Sequence, residues 1–539
     1  MSDLFNILIH SDLTTKIFIL ACILILSFIQ FILFRAPLKG ITIPLLHVFF
    51  GFFLAWITVY NPFVHLVLYI VPSMVFSGLV LLFLPKKKEA EPGPYDLSYT
   101  TNKGKLILNP FAGVCILGVP KAGKTASIVK PTLEQLALKN YCGAVYDYKK
   151  WDLTLAAYSH YANHPVVDFK MVCPFDLNYS HRVNPISPEI IQHPAYAVEA
   201  SFVFLANMMG ATKSQNGSGD RYWVESASGV LAGVIWRLRC DYPEYCDLPH
   251  AISIVINKSV QELTEFLQKN DQSVFLAASY FKSLVSEKQV AGILGTLASS
   301  LSKVALPEIF YLLSGDEVNL ELNNPEHPTL LTLSTIQTLD KTYAPALALI
   351  ISMSLKLMNQ EGRHHSAIVL DEAPTLIIPE FDRIPATARS NKIATFFIAQ
   401  DMVQSEDGYG RIGRDKILAT LSTHLYGKVI DPETAERYSK MFGTVDKYYT
   451  SKSRKAGAWG NSGYTDSLRE IRKYKPERFH QLGTGEFLGV IADGNMKEFN
   501  AKFKCYQETI SKLPLVRNVT KYEIQEVFEK IIKDVENLL

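Results

Sequence analysis

Gly118-Val-Pro-Lys-Ala-Gly-Lys-Thr125 fits the phosphate-binding pattern G-x-x-x-x-G-K-[ST]. In such a loop successive backbone N–H groups cradle phosphates, the lysine reaches the β/γ-phosphates and the hydroxyl ligates Mg²⁺. The expected nucleotide-contacting residues are therefore Gly118, Val119, Pro120, Lys121, Ala122, Gly123, Lys124 and Thr125. Of these, Lys124 is the catalytic cation and Thr125 a metal ligand. The flanks agree. Gly113-Val-Cys-Ile-Leu117 has the pattern of a buried strand, and Ala126 to Leu138 that of a helix. That order sets the phosphates at a helix N-terminus, where free N–H groups and the macrodipole favour anions.

A phosphate loop is half a site. The other half is expected as an apolar strand ending in an acid, and Ala367-Ile-Val-Leu-Asp371-Glu372 supplies it. Asp371 is expected in the Mg²⁺ shell, and Glu372 is expected to polarise the attacking water. The next apolar run, Ile393 to Gln400, ends in an amide. Ligands of open α/β sheets bind at the carboxyl ends of strands, so Gln400 is expected to sense the γ-phosphate or orient water. Arg383 and Arg389 lie just upstream on Asp382–Asn391. Two readings stay open for them: transition-state charge in a neighbouring subunit's site, or a solvated or salt-bridged surface role.

Further strand-like runs occur at Gly143–Asp147, Met171–Asp176, Thr329–Leu333 and Leu418–Ile430, and Gly485–Ile491 with Phe499–Tyr506 reads as a closing hairpin. Helical patterns fall between most of them, the alternation expected of a mostly parallel sheet covered on both faces. From Asn184-Pro185 to about Val318 apolar residues recur only at helical spacing, over Tyr196–Met209, Trp223–Leu238, Val260–Leu267 and Val274–Leu284. The expected fold class is α/β: a RecA-like P-loop NTPase domain interrupted by an all-helical insertion domain.

The N-terminus has a different composition. Ile17–Phe34, Ile41–Tyr60 and Val64–Leu84 are three long, mainly apolar runs. Each is near the ~20 residues needed to cross a bilayer, and three in succession exclude a cleaved signal peptide. Arg35 and Lys39 follow the first run, and Lys86-Lys87-Lys88 follows the third. Three spans with the N-terminus outside put both basic sites, and the soluble body, on the cytoplasmic side. A two-span arrangement with one re-entrant run stays open. The polar, Pro-rich residues 89–98 read as a linker. The expected organisation is a transmembrane helical anchor (1–88), two parts of a nucleotide-binding domain (89–186 and 319–516), the helical insertion (187–318) and a C-terminal helix (517–539).

The 539 residues carry a net charge of +2, too small for a global polyanion field, so local patches must do any gripping of nucleic acid. The seven cysteines include no C-x-x-C pair and read as buried reduced thiols in a reducing cytosol.

In their order and spacing these features resemble the type IV coupling proteins of bacterial conjugation, the TraG/TraD-like membrane ATPases. The resemblance rests on the phosphate loop with Ser127–Leu133, on Tyr146-Asp147-Tyr-Lys149, Asn184-Pro185 and Tyr222-Trp223, and on Val369–Ala373. Ala399-Gln400 with Gln404, Asp431–Ala435 with Gly443, and Gly485-Glu486 complete it. It implies an ATP- and Mg²⁺-dependent motor at the bacterial inner membrane, working as a homo-hexamer. Such a motor feeds relaxase-bound single-stranded DNA to a type IV secretion channel. By position, Arg389 is similar to the arginine that members place near a neighbour's nucleotide. The chain departs from the family in carrying three apolar runs where members commonly have two spans, and in Lys121 inside the loop. The alternative function is a nucleotide-binding membrane docking receptor that recruits relaxase or effector proteins without pumping DNA.

Two further segments attract attention. Residues 447–478 mix Lys447, Lys452, Arg454, Lys455, Arg469, Arg472, Lys473, Lys475 and Arg478 with Tyr448, Tyr449, Trp459, Tyr464 and Tyr474, the composition of a polyanion-contacting surface. A solvated insertion with counter-charges is the open alternative. Thr520-Lys-Tyr-Glu523 reads as a capping box opening an amphipathic helix, expected to dock on the chain's own body or on a partner.

Overall fold

Strands apolar at nearly every position require a sheet buried on both faces, and the chain builds one. The computed structural model describes residues 91–209, 218–454, 462–507 and 512–538. The three apolar N-terminal runs, most of the 211–220 loop and part of the Gly457–Gly463 stretch lie outside the described residues. Among the described residues, no helix is long and apolar enough to cross a membrane.

An opening hairpin, β1 (Leu97–Thr101) and β2 (Gly104–Leu108), precedes β3 (Val114–Leu117), β4 (Cys142–Asp147) and β5 (Asp168–Val172). After a long helical stretch come β6 (Thr329–Ser334), β7 (Ser366–Leu370), β8 (Ile393–Ala399) and β9 (Thr423–Tyr426). A separate hairpin, β10 (Thr444–Arg454) and β11 (Ser462–Arg472), is followed by β12 (Glu486–Val490) and β13 (Glu498–Lys502). The central sheet has nine strands in the order β13-β12-β9-β3-β8-β7-β4-β6-β5. From β9 to β5 all neighbours are parallel, while β12 pairs antiparallel with both β9 and β13.

Alternation across the sheet divides the core in two. Cys115, Leu117, Ala144, Tyr146, Phe397 and Ala399 face one apolar cluster, which continues into the helical region. Val114, Ile116, Val145, Phe396 and Ile398 face the other, beneath the helices Lys130–Leu138 and Asp152–Tyr161. Gly143 is required by close approach. Its φ is +121°, and a Cβ there would meet the Ala367 carbonyl oxygen of β7 at 2.1 Å.

Between β5 and β6 every regular element among the described residues is helical, from Pro194–Met209 to Pro307–Leu313. The pattern over Val274–Leu284 resolves into two short helices, Asp271–Leu276 and Ala278–Ser283, the first capped by the Asn270 side chain. Two strand expectations are shifted. The fifth strand ends at Val172, because Pro174 has no N–H to continue a ladder and Cys173–Asp176 closes a turn. Within Leu418–Ile430 only Thr423–Tyr426 is strand, since the helix Val403–Thr420 runs into its start.

The capping box at Thr520 is formed in both directions, and the helix Lys521–Glu536 buries Ile531 and Val535. Its Phe528 ring lies 5.0 Å from that of Phe310, so its apolar face docks on the chain's own helical region.

Candidate nucleotide site

The loop after β3 is pinned from three sides. Gly118 N–H donates to the Ala399 carbonyl at 3.3 Å, Val119 N–H to that of Lys428 at 2.9 Å, and Gly485 N–H to that of Ala122 at 2.8 Å. Lys121 adopts a left-handed φ of 65° and Gly123 one of 93°. A Cβ at Gly123 would lie 2.6 Å from the Gly485 nitrogen, so only glycine fits the pattern's second glycine position. The unusual Lys121 is held through its backbone, whose carbonyl accepts the Thr484 hydroxyl at 3.1 Å.

Thr125–Val129 forms a π turn before the α-helix Lys130–Leu138. Such turns gather at functional sites because the wider ring frees a backbone group. Here the Ala126 carbonyl accepts the Tyr506 N–H at 2.8 Å. Beside this helix lies a cleft of about 540 Å³, lined by Tyr99, Ser127, Pro131, His160, Cys505 and Tyr506 among others.

Lys124 is buried and its ammonium donates to the Gly118 carbonyl, folding the side chain back inside its own loop. Burial pulls its pKa below the usual lysine value; the carboxylates of Glu372 and Asp371 oppose that shift.

Those carboxylates stand at the end of β7, and β8 alone separates β7 from β3 in the sheet. Asp371 is 1% exposed, its N–H donates to the Tyr146 carbonyl at 3.1 Å, and its Oδ2 has no hydrogen-bond partner. Burial pushes its pKa up to about 7, with Lys149 acting the other way. Glu372 turns into the left-handed region at φ 53°, ψ 50°. Its Oε1 accepts the Gln400 N–H at 3.3 Å and its Oε2 the Gln400 side-chain amide at 3.2 Å.

An orphaned, buried carboxylate oxygen beside a lysine and a threonine-bearing loop fits a divalent cation that also keeps waters and phosphate oxygens. Among the described residues no cluster of three His, Cys, Asp or Glu side chains could hold a metal by itself.

Of the expected site residues, the structure brings together the phosphate loop, Lys124, Asp371, Glu372 and Gln400. Arg389 is elsewhere. It is half-exposed, 3.7 Å from Asp493, at the opposite end of β8 from Gln400. The seven residues of β8, six steps of about 3.3 Å, put the two ends about 20 Å apart. Arg383 is exposed and pairs with Glu380.

Sequence reasoning assigned no role to Lys149, whose charge acts on both Lys124 and Asp371. The signal was its place two residues beyond the strand-end Asp147. That aspartate is fully buried, and its oxygens accept N–H groups of Lys149, Leu153 and Thr154, fixing the turn that carries Lys149.

A phosphate loop at the centre of a mostly parallel sheet, facing strand-end carboxylates, defines a nucleotide-binding NTPase fold. Residues 365–478 match the family described as the TraM recognition site of TraD and TraG. The bacterial conjugative coupling protein TrwBdeltaN70, in its unbound form, shares the fold with a TM-score of 0.58 at 14% identity, over 74% of this chain and 85% of that one. TrwB in complex with the non-hydrolysable ATP analogue ADPNP gives 0.59 at 13% identity, over 76% and 89%. TrwB with ADP and Mg²⁺ gives 0.58 at 14% identity over the same shares. No curated protein matches the chain in sequence. The matches bear out the resemblance to the conjugative coupling proteins.

Proposed function

We propose that the protein is an inner-membrane ATPase that couples relaxase-bound single-stranded DNA to a type IV secretion channel during conjugative transfer. The observation that carries this is the convergence of the Gly118–Thr125 loop with Asp371, Glu372 and Gln400 at the carboxyl ends of three central strands. The structural likeness to TrwB and the TraD/TraG match over residues 365–478 direct that chemistry toward conjugation.

In this reading the loop N–H groups and Lys124 hold the triphosphate of ATP. The Thr125 hydroxyl and Asp371 would hold Mg²⁺, which when bound would neutralise charge developing on the phosphates. Glu372, oriented by Gln400, accepts a proton from the attacking water. Arg389 lies too far from its own chain's carboxylates to serve them. Its exposure suits a role in a neighbouring subunit's site, within a homo-hexamer. Residues 1–88 anchor the protein through three spans, with the soluble body in the cytoplasm.

The deciding experiment is ATP hydrolysis by the purified protein, with and without single-stranded DNA, for wild type and Lys124→Ala. DNA-stimulated turnover that Lys124→Ala abolishes is the expected result. Turnover indifferent to DNA would favour a docking receptor, and normal turnover by Lys124→Ala would sink the motor.

A further inference from the structure

The β10–β11 hairpin pairs Lys447 directly with Arg469 and, one step along, Asp446 with Glu470. Directly opposed like charges destabilise an antiparallel pair. Side chains alternate faces along a strand, so this register keeps all the acids off the face that carries Lys447 and Arg469. Lys447, Arg469 and Tyr449 share one face, which carries no acid; Asp446, Asp466 and Glu470 lie on the other at register positions shared with Lys452, Arg454 and Arg472, beside Tyr448 and Leu468. On the basic face the Lys447 ammonium and the Arg469 guanidinium each lie 5.7 Å from the centroid of the Tyr449 ring. At the root, Arg472 and Lys473 are neutralised by Glu436 and Glu498. Lys447 and Arg469 take part in no ion pair among the described residues. An exposed aromatic ring flanked by two uncompensated cations is the pairing that binds a stacked base and its phosphates.

The hairpin is also wired to the nucleotide site. The chain segment that carries it leaves the sheet where Gly427 N–H donates to Leu117 and the Lys428 carbonyl accepts Val119 N–H. It rejoins where the Thr484 hydroxyl and Gly485 N–H donate to the Lys121 and Ala122 carbonyls. Both ends of the excursion therefore hydrogen-bond to the phosphate loop, and a shift of that loop is felt at both.

We propose that the Lys447–Tyr449–Arg469 face of this hairpin is a contact surface for single-stranded nucleic acid, coupled to the phosphate loop through residues 427–428 and 484–485. The proposal rests on the coupling-protein reading and locates where that reading's DNA touches. The opposite face carries acids and bases in equal number, so the acid-free face is the one that favours phosphates.

The test uses the full-length protein in detergent and a fluorescent dT oligomer of about 40 nucleotides, long enough to cover several binding sites. Lys447→Ala/Arg469→Ala is expected to bind it at least tenfold more weakly, with a log–log salt slope shallower by roughly 1.4, two phosphate contacts at about 0.7 each. Tyr449→Ala is expected to weaken binding about tenfold through lost stacking. In all these variants basal ATP hydrolysis persists while its stimulation by dT is lost. Lys447→Gln/Arg469→Gln, which keeps long side chains, serves as the second variant and should behave alike. Tyr448→Ala, on the opposite, mixed-charge face, should bind as wild type. Unchanged affinity and salt slope in the double variants would overturn the proposal, leave the coupling reading standing and give the basic face to an acidic protein. Equal weakening by Tyr448→Ala would also overturn it. A wild-type protein that binds no dT would overturn the coupling reading with it.

Discussion

Gln400 grips Glu372 at both carboxylate oxygens, through its backbone N–H at 3.3 Å and its side-chain amide at 3.2 Å. The two residues end adjacent parallel strands, so the contact bridges the carboxyl ends of two central strands beside the phosphate loop. Glu372 reaches this position by adopting a left-handed backbone, a conformation that costs a non-glycine residue about 1–2 kcal/mol. The same turn leaves Asp371 buried with one oxygen unpartnered. Neighbouring carboxylates thus differ in character, Glu372 oriented and hydrogen-bonded, Asp371 buried with an oxygen that has no hydrogen-bond partner.

Removing the oriented carboxylate should separate binding from turnover. Glu372→Gln is expected to hold Mg·ATP at near wild-type affinity while kcat falls about 10²–10⁴-fold, the usual loss of a general base. Gln400→Ala should lower kcat about 10²-fold with little change in affinity, since it removes the donors' alignment and not the phosphate cradle. Single-turnover hydrolysis beside equilibrium nucleotide binding measures both quantities. A matched fall in affinity would show that Glu372 serves binding instead.

The loop should tolerate no side chain at Gly123. Gly123→Ala must relieve a 2.6 Å contact with the Gly485 nitrogen and also hold a φ of +93°. A strained φ of this kind costs on the order of 1–3 kcal/mol, before any steric term. Denaturant unfolding should register a loss of at least that size, and nucleotide binding should fail. Gly362→Ala has φ +76° but open space around its Cβ. It provides the comparison, with a smaller stability loss and binding intact.

The nucleotide half-sites were legible because phosphate loops, strand-end acids and buried parallel strands follow local rules. Gly118–Thr125 and Asp371-Glu372 each announce themselves within eight residues or fewer. Lys149 was not legible, because its reach to Lys124 and Asp371 depends on β4 lying next to β7, a fact of sheet order. The β10–β11 register was hidden for another reason. The sequence shows mixed charges over 447–478, and only pairing reveals that Lys447, Tyr449 and Arg469 share a face without acids. Pro174 marked the end of β5, yet the apolar run over Met171–Phe175 masked it.

The C-terminal helix should come loose without unfolding the body. Thr520→Ala removes the hydroxyl that accepts Glu523 N–H, one half of the capping box, while the backbone N–H at 520 keeps its bond to the Glu523 carboxylate, at a cost of about 1 kcal/mol. Ile531→Ala empties a buried contact at about 2–4 kcal/mol. Hydrogen exchange over 521–536 should rise by the corresponding factors while the amides of β3 and β8 keep their protection. Loss of protection across the sheet would instead make this helix part of the cooperative core.

Asp371 makes metal-nucleotide binding depend on pH in a defined direction. Its pKa is raised from an ordinary carboxylate value to about 7 by burial. The folded protein therefore binds more protons than the unfolded chain between about pH 4 and pH 7, and stability falls as pH rises through that window. Divalent cations bind the ionised form, so below about pH 7 the proton competes with Mg²⁺. Affinity for Mg·ATP should rise with pH up to tenfold per unit, then level off above about pH 7. The nucleotide's phosphates also titrate near pH 6, so the measurement needs a reference. Asp371→Asn supplies it, because that variant keeps the nucleotide's titration and loses the protein's. Calorimetric affinities from pH 5.5 to pH 8 should show a steeper dependence in wild type than in Asp371→Asn, with the difference centred near pH 7. Parallel profiles in the two proteins would remove Asp371 from the metal shell.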